Sequence, residues 1–361
     1  MATVVKISQL PLAISIQYNV TIMEIHENIP LKNFTTMRLG GPARYMADAH
    51  SADELAQLIM SAKNQNIAFF ILGGGSNTIA RDEGFGGLVI RNMIKGIEVI
   101  AETGGDITFK VGAGENWDEF VKMTVERRLT GLECLSMIPG TVGAAPVQNI
   151  GAYGQEVAET ILQIDAFDSS TNQFTTLQNL DCNFGYRDSI FRGSEVGRYG
   201  ITYVTFRLFK SIPQPPFYKG LEDYFTKNNV TVFTPQIVRD AVVAIRMEKL
   251  PDPKERPNTG SFFKNAIIEQ WQYTGLLEQY PDMPSFEMAG GNRKIPTGWL
   301  IDQAGLKGQL LHGMRVHDKN ALVLINEAAA SYADLAAARE EIKVAVRAKF
   351  QIEIEQEPLE L

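Results

Sequence analysis

Behind Ser51-Ala-Asp-Glu54, apolar residues recur at Leu55, Leu58, Ile59 and Ala62. That spacing is one face of an amphipathic helix, and serine with glutamate three residues on marks its capped start. After Asn66 the pattern changes to Ile67-Ala-Phe-Phe-Ile-Leu72, an apolar run that predicts a buried strand feeding into Gly73-Gly-Gly75. Residues 78–92 do not read as a helix, because Gly84, Gly86 and Gly87 interrupt them. Strand-like Ile107-Thr-Phe-Lys-Val111 leads into Gly112-Ala-Gly114, and a helix follows, capped at Asn116, with its stripe on Trp117, Phe120, Val121 and Val125. Strand patterns cover 161–167, 174–177 and 201–209, and Pro213, Pro215 and Pro216 mark a break. Thr234-Pro235 opens another helix, threonine as cap and proline in the first turn, which runs to about Lys249 and ends at Leu250-Pro-Asp-Pro253. An apolar strand at 321–325 and a helix capped by Ser331 and Asp334 come next. The last pattern, Gln351-Ile-Glu-Ile-Glu-Gln-Glu357, alternates as a strand does.

At 361 residues the chain is too long for one comfortable core, so two or three domains are expected. Its net charge of −8 and the lack of any basic run argue against nucleic-acid binding. An anionic ligand would have to be met by individual arginines and lysines focused in a cleft. Cys134 and Cys182 lack CxxC spacing, which argues against a disulfide framework or zinc site and fits a reducing cytoplasm. The histidines His26, His50, His312 and His317 lack metal-binding spacing, so no metal is expected. No apolar run reaches the length of a membrane span. Leu10–Ile16 is mildly apolar, but Pro11 interrupts it; a signal peptide is disfavoured and residues 1–22 read as a loosely held arm.

Two glycine clusters carry the candidate chemistry. One is Leu72-Gly-Gly-Gly-Ser-Asn77, the other Ile138-Pro-Gly-Thr-Val-Gly-Ala-Ala-Pro-Val-Gln-Asn-Ile-Gly-Ala-Tyr-Gly154. So little side-chain bulk lets backbone lie against a flat or charged ligand, although a plain Gly/Pro loop has the same composition. The first cluster lacks GK[ST], GxGxxG spacing and a following helix, which sets it apart from the P-loop and the dinucleotide fingerprint; it reads as an anion cradle of backbone N–H groups. Arg187, in Gly185-Tyr-Arg-Asp-Ser189, suits bidentate recognition of a carboxylate or phosphate, or else pairs with Asp188 at the surface. Ser261, in Gly260-Ser-Phe-Phe-Lys-Asn265, lies outside any GxSxG elbow; it either donates a proton in a dry pocket, with Lys264 easing the alkoxide, or closes a turn. Glu353, Glu355 and Glu357 share one face of the last strand, as a solvated edge or with Glu357 reaching a cleft. Lys249, Tyr218 and Lys219 border proline-rich loops.

Together these segments resemble the UDP-N-acetylenolpyruvoylglucosamine reductases, flavoenzymes of bacterial peptidoglycan precursor synthesis. The match covers roughly residues 28 to 358. It rests on Asn33-Phe-Thr-Thr36, both glycine clusters, Gly112-Ala-Gly-Glu-Asn-Trp117, Phe184-Gly-Tyr-Arg-Asp-Ser-Ile-Phe191, Lys249-Leu-Pro-Asp-Pro253, Gly260–Asn265, Gly298-Trp-Leu-Ile-Asp302 and Ala321-Leu-Val-Leu-Ile-Asn326. The resemblance implies an α+β fold, with an FAD-binding domain of the vanillyl-alcohol-oxidase (PCMH) type in two α/β subdomains and a C-terminal α+β substrate domain. The expected divisions are an arm at 1–22, a first FAD subdomain at 23–92 completed by a C-terminal strand at 351–361, a second at 93–246, and the substrate domain at 247–350.

The resemblance further implies tightly but non-covalently bound FAD, NADPH as electron donor, and reduction of UDP-N-acetylglucosamine enolpyruvate to UDP-N-acetylmuramate. Flavin N5 would deliver hydride to C3 and Ser261 a proton to C2, while Arg187 and Glu357 steady the charge that builds at C2 and its carboxylate. Cofactor contacts fall on Leu72, Gly73, Gly74, Gly75, Ser76, Asn77, Pro139, Gly140, Gly143, Ala144, Ala145, Gln148, Asn149, Gly151, Ala152, Tyr153 and Gly154. Substrate contacts fall on Tyr186, Tyr218, Lys249 and Asn265, and Tyr218 is similar to the tyrosine of the subgroup whose loop closes over substrate. A cytoplasmic monomer is expected. The competing readings are an FAD-dependent alcohol or sugar oxidase of the same cofactor fold, and a sugar-nucleotide-binding protein without catalysis. The oxidases often tether flavin through histidine, and neither glycine cluster contains one.

Overall fold

A computed structural model describes residues 4–6 and 23–361. The N-terminal arm expected over 1–22 lies outside the described residues, apart from the strand Val4–Lys6. The chain forms two compact units. The first holds the described residues through Ile29, with Ala43–Gly74 and Phe85–Glu248; the second holds Pro30–Pro42, Gly75–Gly84 and Lys249–Leu361.

The first unit carries two five-stranded sheets. One runs in the order Val4–Lys6, Glu24–Pro30, Pro42–Ala49, Phe85–Asn92, Phe69–Leu72. Its last three strands are mutually parallel, Ile71 lying opposite Ile90. Helix α1 (Ala52–Asn64) covers it, the Ser51 hydroxyl accepting from the Glu54 amide at 3.2 Å as the sequence pattern requires. Leu55, Leu58, Ile59 and Ala62 are all buried. The other sheet is wholly antiparallel, in the order Gln173–Gln178, Ile161–Asp168, Tyr199–Phe209, Asp106–Gly112, Ile97–Glu102. Against it packs α2 (Trp117–Glu126), begun by Asn116, whose Oδ1 accepts from the Glu119 amide at 3.0 Å. Trp117, Phe120, Phe109 and Phe206 interlock there as edge-to-face and tilted rings, a geometry that adds to their area burial. Two more helices, α3 (Lys219–Lys227) and α4 (Pro235–Lys249), share a smaller core of Leu221, Phe225, Val238, Val242 and Ile245.

The second unit is built on a four-stranded antiparallel sheet, in the order Asn258–Ser261, Val323–Asn326, Met314–Val316, Leu310–Leu311. A three-stranded sheet orders Ala266–Ile268, Arg293–Ile295 and Phe286–Glu287. Helices α5 (Gln270–Gln279), α6 (Thr297–Gln303) and α7 (Tyr332–Phe350) complete the unit. Ser331 and Asp334 form the expected capping box at the start of α7.

The closing segment departs from expectation. Its alternation holds, with Ile352 and Ile354 buried and Glu353 and Glu355 exposed, yet no ladder forms over 351–355. Contact is made instead by an isolated bridge, Phe263 with Gln356, and a short parallel pairing of Leu359–Glu360 with Thr78–Ile79. Burial of alternate side chains shapes this segment more than hydrogen bonding does. Among the described residues, no helix is long and apolar enough to cross a membrane.

Candidate active site

In the first unit the two glycine clusters meet backbone to backbone. A Cβ on Gly74 would stand 2.9 Å from the Gly140 Cα, and one on Gly73 would stand 2.6 Å from Thr141 Oγ1. On Gly143 it would strike Ala113 Cβ at 2.5 Å. Gly140 itself sits at φ 129, a region that favours glycine. Leu72, the last residue of its strand, is buried and anchors the turn. Among the described residues, no backbone carbonyl takes the amide N–H of Gly74 or Gly75. Adjacent amides of that kind, with no Cβ to fill the space before them, fit the phosphates of a dinucleotide.

The long glycine loop is laced to the polar segment 182–192. Asn149, fully buried at φ 45, donates from Nδ2 to Glu156 Oε2 at 2.8 Å and to the Gly185 carbonyl at 3.0 Å, while its Oδ1 accepts from the Ala158 amide at 3.1 Å. Ser189 donates to the Val147 carbonyl at 2.6 Å, and Arg192 to Gln148 Oε1 at 3.0 Å. Arg187, at φ 54, donates from its guanidinium to the Gly151 carbonyl and lies over the Tyr186 ring at 5.2 Å. A Cβ on Gly151 would come within 2.8 Å of Arg187 Nη1, so any side chain there would displace the guanidinium. The side chain of Asn149 is therefore engaged in holding the loop, and its amide donates to the Pro146 carbonyl at 3.2 Å. Pro139, Ala144, Ala145 and Ala152 complete the low-bulk wall of the loop.

Tyr153, at φ 48, meets Tyr218 edge to face, ring centroids 5.9 Å apart; Gly154 follows at φ 86. Burial raises the pKa of both phenols, more strongly than the Arg246 charge lowers that of Tyr153, so both are neutral hydrogen-bond donors. Tyr218 stands just before α3, where its carbonyl accepts from the Leu221 and Glu222 amides at 2.8 and 3.1 Å. Beneath this pair lies a group that the apolar stripe of α4 hides in the sequence. Arg246 donates to the Met137 carbonyl at 3.2 Å, and burial depresses its pKa. Arg239 grips Asp118 with two bonds of 2.7 and 2.9 Å. Burial would raise the Asp118 pKa, but Arg239 and the Met137 amide outweigh it and keep the carboxylate ionised. Two arginines three to four residues from apolar neighbours on one helix were the signal available. Burial pushes the Cys182 thiol up to about 12 and raises Cys134 also, so neither is a nucleophile near neutrality.

In the second unit, Ser261 ends its strand opposite Val323, directly after Gly260 at φ 71. Phe262 and Phe263 behind it are buried, with rings 5.1 Å apart. Glu357 comes to this strand through its backbone, its amide donating to the Phe262 carbonyl at 2.9 Å, and is only 9% exposed. Glu355 takes a different place. Its side chain is 76% exposed and pairs with Lys264 at 3.4 Å. Asn265 Oδ1 accepts from the Thr297 amide at 3.1 Å, and Lys249, the last residue of α4, is exposed. Ser76 and Asn77 belong to this unit, Asn77 accepting at its carbonyl from Leu359. Thr35, in Asn33-Phe-Thr-Thr36, packs beside Gly75 and keeps a buried hydroxyl that no protein atom satisfies. Among the described residues, no cluster of His, Cys, Asp or Glu could hold a metal.

The family model described as "FAD binding domain" matches residues 43–176. With the apposed glycine loops, this makes the chain an α+β flavoprotein, an FAD-containing oxidoreductase. The model described as "UDP-N-acetylenolpyruvoylglucosamine reductase, C-terminal domain" matches 252–360. The chain is 42% identical over 329 residues to the UDP-N-acetylenolpyruvoylglucosamine reductase of Neisseria gonorrhoeae, covering 91% of this chain and 95% of that one. It is 39% identical over 336 residues to the enzyme of the same name from Flavobacterium johnsoniae, covering 93% and 99%. The crystal structure of UDP-N-acetylenolpyruvylglucosamine reductase from Thermus caldophilus shares the fold, with a TM-score of 0.65 and 23% identity over 94% of this chain and 99% of that one. The chain belongs to the UDP-N-acetylenolpyruvoylglucosamine reductase family.

Proposed function

We propose that this chain reduces UDP-N-acetylglucosamine enolpyruvate to UDP-N-acetylmuramate at the expense of NADPH, in the cytoplasmic supply of peptidoglycan precursor. The observation that carries this reading is the junction of Ser261 with the buried Glu357 segment, joined by the Glu357 amide and the Phe262 carbonyl at 2.9 Å. That bond brings residue 357 beside the strand end that carries residue 261, far away in sequence, and a hydroxyl and a carboxyl are the groups that a proton donor and its acidic partner require.

The glycines at 73–75, 140 and 143, with the loop through Gly154, would hold FAD, whose isoalloxazine supplies the hydride once NADPH has reduced it. Hydride addition at C3 of the enolpyruvyl group breaks its C=C π bond and leaves the electron pair at C2, shared with the carboxylate. Arg187 meets that carboxylate as a cation and Glu357 as a hydrogen-bonding acid, and both bind the developing charge more strongly than the ground state. Ser261 gives its proton to C2, forming the new C–H bond of the lactyl ether, and is reprotonated from solvent. General-acid help of this kind is typically worth ~10²–10⁴-fold. Tyr186, Tyr218, Lys249 and Asn265 orient the sugar nucleotide, with the neutral Tyr218 phenol as a donor to its phosphates. NADPH and one proton are consumed for each enol ether reduced.

The test is an anaerobic visible spectrum of the purified protein, with NADPH added first and the enolpyruvyl substrate second. Flavin bands that bleach and then return are the expected result. Bleaching that the substrate fails to reverse would overturn the proposed substrate.

A further inference from the structure

Thr35 and Thr36 stand side by side in the second unit, and only one of their hydroxyls is bonded within the protein. Thr36 is stitched to the glycine turn: its amide donates to the Gly75 carbonyl at 3.1 Å and its hydroxyl to the Ser76 carbonyl at 3.4 Å. Thr35 is 6% exposed, its hydroxyl has no hydrogen-bond partner, and among the described residues no backbone carbonyl takes its amide N–H. The segment lies hard against the turn. A Cβ on Gly75 would strike the Phe34 carbonyl oxygen and stand 3.1 Å from the Thr35 Cα. Gly75 sits at φ 64, and its amide likewise meets no backbone carbonyl among the described residues. Two touching stretches of chain thus gather three donors that no backbone carbonyl takes: the Gly75 amide, the Thr35 amide and the Thr35 hydroxyl. A buried hydroxyl left unbonded costs more than the methyl of valine, which has the same shape. Threonine at this place is therefore explained by a partner that the protein itself does not supply. Backbone N–H groups gathered at a turn make an anion site, and a hydroxyl beside them extends it.

We propose that Thr35 is a further cofactor-binding residue: its hydroxyl donates to an oxygen of the FAD diphosphate that the Gly75 amide also binds. The inference deepens the assignment of the glycine turn to those phosphates and rests on it. A hydrogen bond to a charged acceptor is shorter and roughly twice as strong as one between neutral groups, so its loss is expected to loosen FAD about 10- to 100-fold.

The experiment dilutes the flavin-loaded protein into buffer without FAD and follows the fluorescence that released flavin regains, in wild type, Thr35→Val, Thr35→Ala and Thr35→Ser. Thr35→Val and Thr35→Ala are expected to shed FAD about 10- to 100-fold faster than wild type, and Thr35→Ser, which keeps the hydroxyl, at close to the wild-type rate. Thr35→Ala carries the test if Thr35→Val fails to fold. In saturating FAD every variant should bleach with NADPH at the wild-type rate, since only the hold on the cofactor changes. Release at the wild-type rate from both Thr35→Val and Thr35→Ala would overturn the proposal. So would release from Thr35→Ser as fast as from Thr35→Ala, which would make the methyl and not the hydroxyl responsible, or slow bleaching in saturating FAD, which would place Thr35 in the scaffold. Normal FAD retention in Gly74→Ala would instead overturn the phosphate assignment on which the inference rests.

Discussion

At the scale of single residues, the site is assembled from backbone conformations that side chains rarely adopt. Met137, Asn149, Tyr153 and Arg187 all have φ between 45 and 58, around or beside the long glycine loop. Left-handed backbone costs a non-glycine residue ~1–2 kcal/mol, asparagine less, so the packing that enforces it is substantial. Arg187 shows how the cost is met, since its guanidinium is seated on the Gly151 carbonyl. The substitution Gly151→Ala tests this seat. Its Cβ would fall 2.8 Å from the mobile tip of Arg187, which can move aside, so the protein should fold and keep its flavin. Substrate-driven reoxidation should nonetheless fall roughly 10²-fold while bleaching by NADPH is spared. Equal loss in both half-reactions would place Arg187 in the scaffold instead. The sequence made Arg187 and Ser261 visible through their unusual neighbours. It gave Asn149 only as a cofactor contact and hid its bond to distant Gly185, and it hid Arg246, which occupies a stripe that reads as core.

At the scale of elements, helices and their starts were legible because the determinants are local. Ser51, Asn116, Thr234 and Ser331 each cap the helix that the pattern assigns to them. The last segment was not, because alternation specifies which side chains are buried but says nothing about a partner strand. It left Glu357 either on a solvated edge with Glu353 and Glu355 or reaching a cleft, and the structure buries Glu357 just after the bridge at Gln356. The glycine turns were visible as composition only; their apposition joins positions 74 and 140, which no local pattern links. That apposition yields a prediction. In Gly74→Ala the new Cβ meets backbone, the Gly140 Cα at 2.9 Å, and the loops must part. The variant should purify largely without flavin, judged by the ratio of visible to ultraviolet absorbance. Gly86→Ala, where nothing lies within 4 Å, should keep its colour. A yellow Gly74→Ala protein with normal FAD affinity would contradict the assignment of the cradle.

At the scale of the molecule, the second unit is drawn from three separate stretches, 30–42, 75–84 and 249–361. The tail is stitched to the middle stretch by the pairing of Leu359–Glu360 with Thr78–Ile79 and by the Arg81–Glu360 ion pair. Burial would raise the Glu360 pKa, but bonds from Arg81 and Arg339 prevail and hold it at about 2. A carboxyl depressed in the folded state stabilises the protein above its ordinary pKa, and that contribution fades as pH falls from there through about 2. The gap in Tm between wild type and Glu360→Gln should accordingly be widest near neutrality and narrow below about pH 4; parallel curves would show that the pair contributes nothing. The central proposal for catalysis is that Ser261 protonates C2. The most direct test is to reduce Ser261→Ala anaerobically with NADPH and then mix it rapidly with the enolpyruvyl substrate. The account predicts normal bleaching and reoxidation slowed by at least ~10²-fold; reoxidation at the wild-type rate would contradict it.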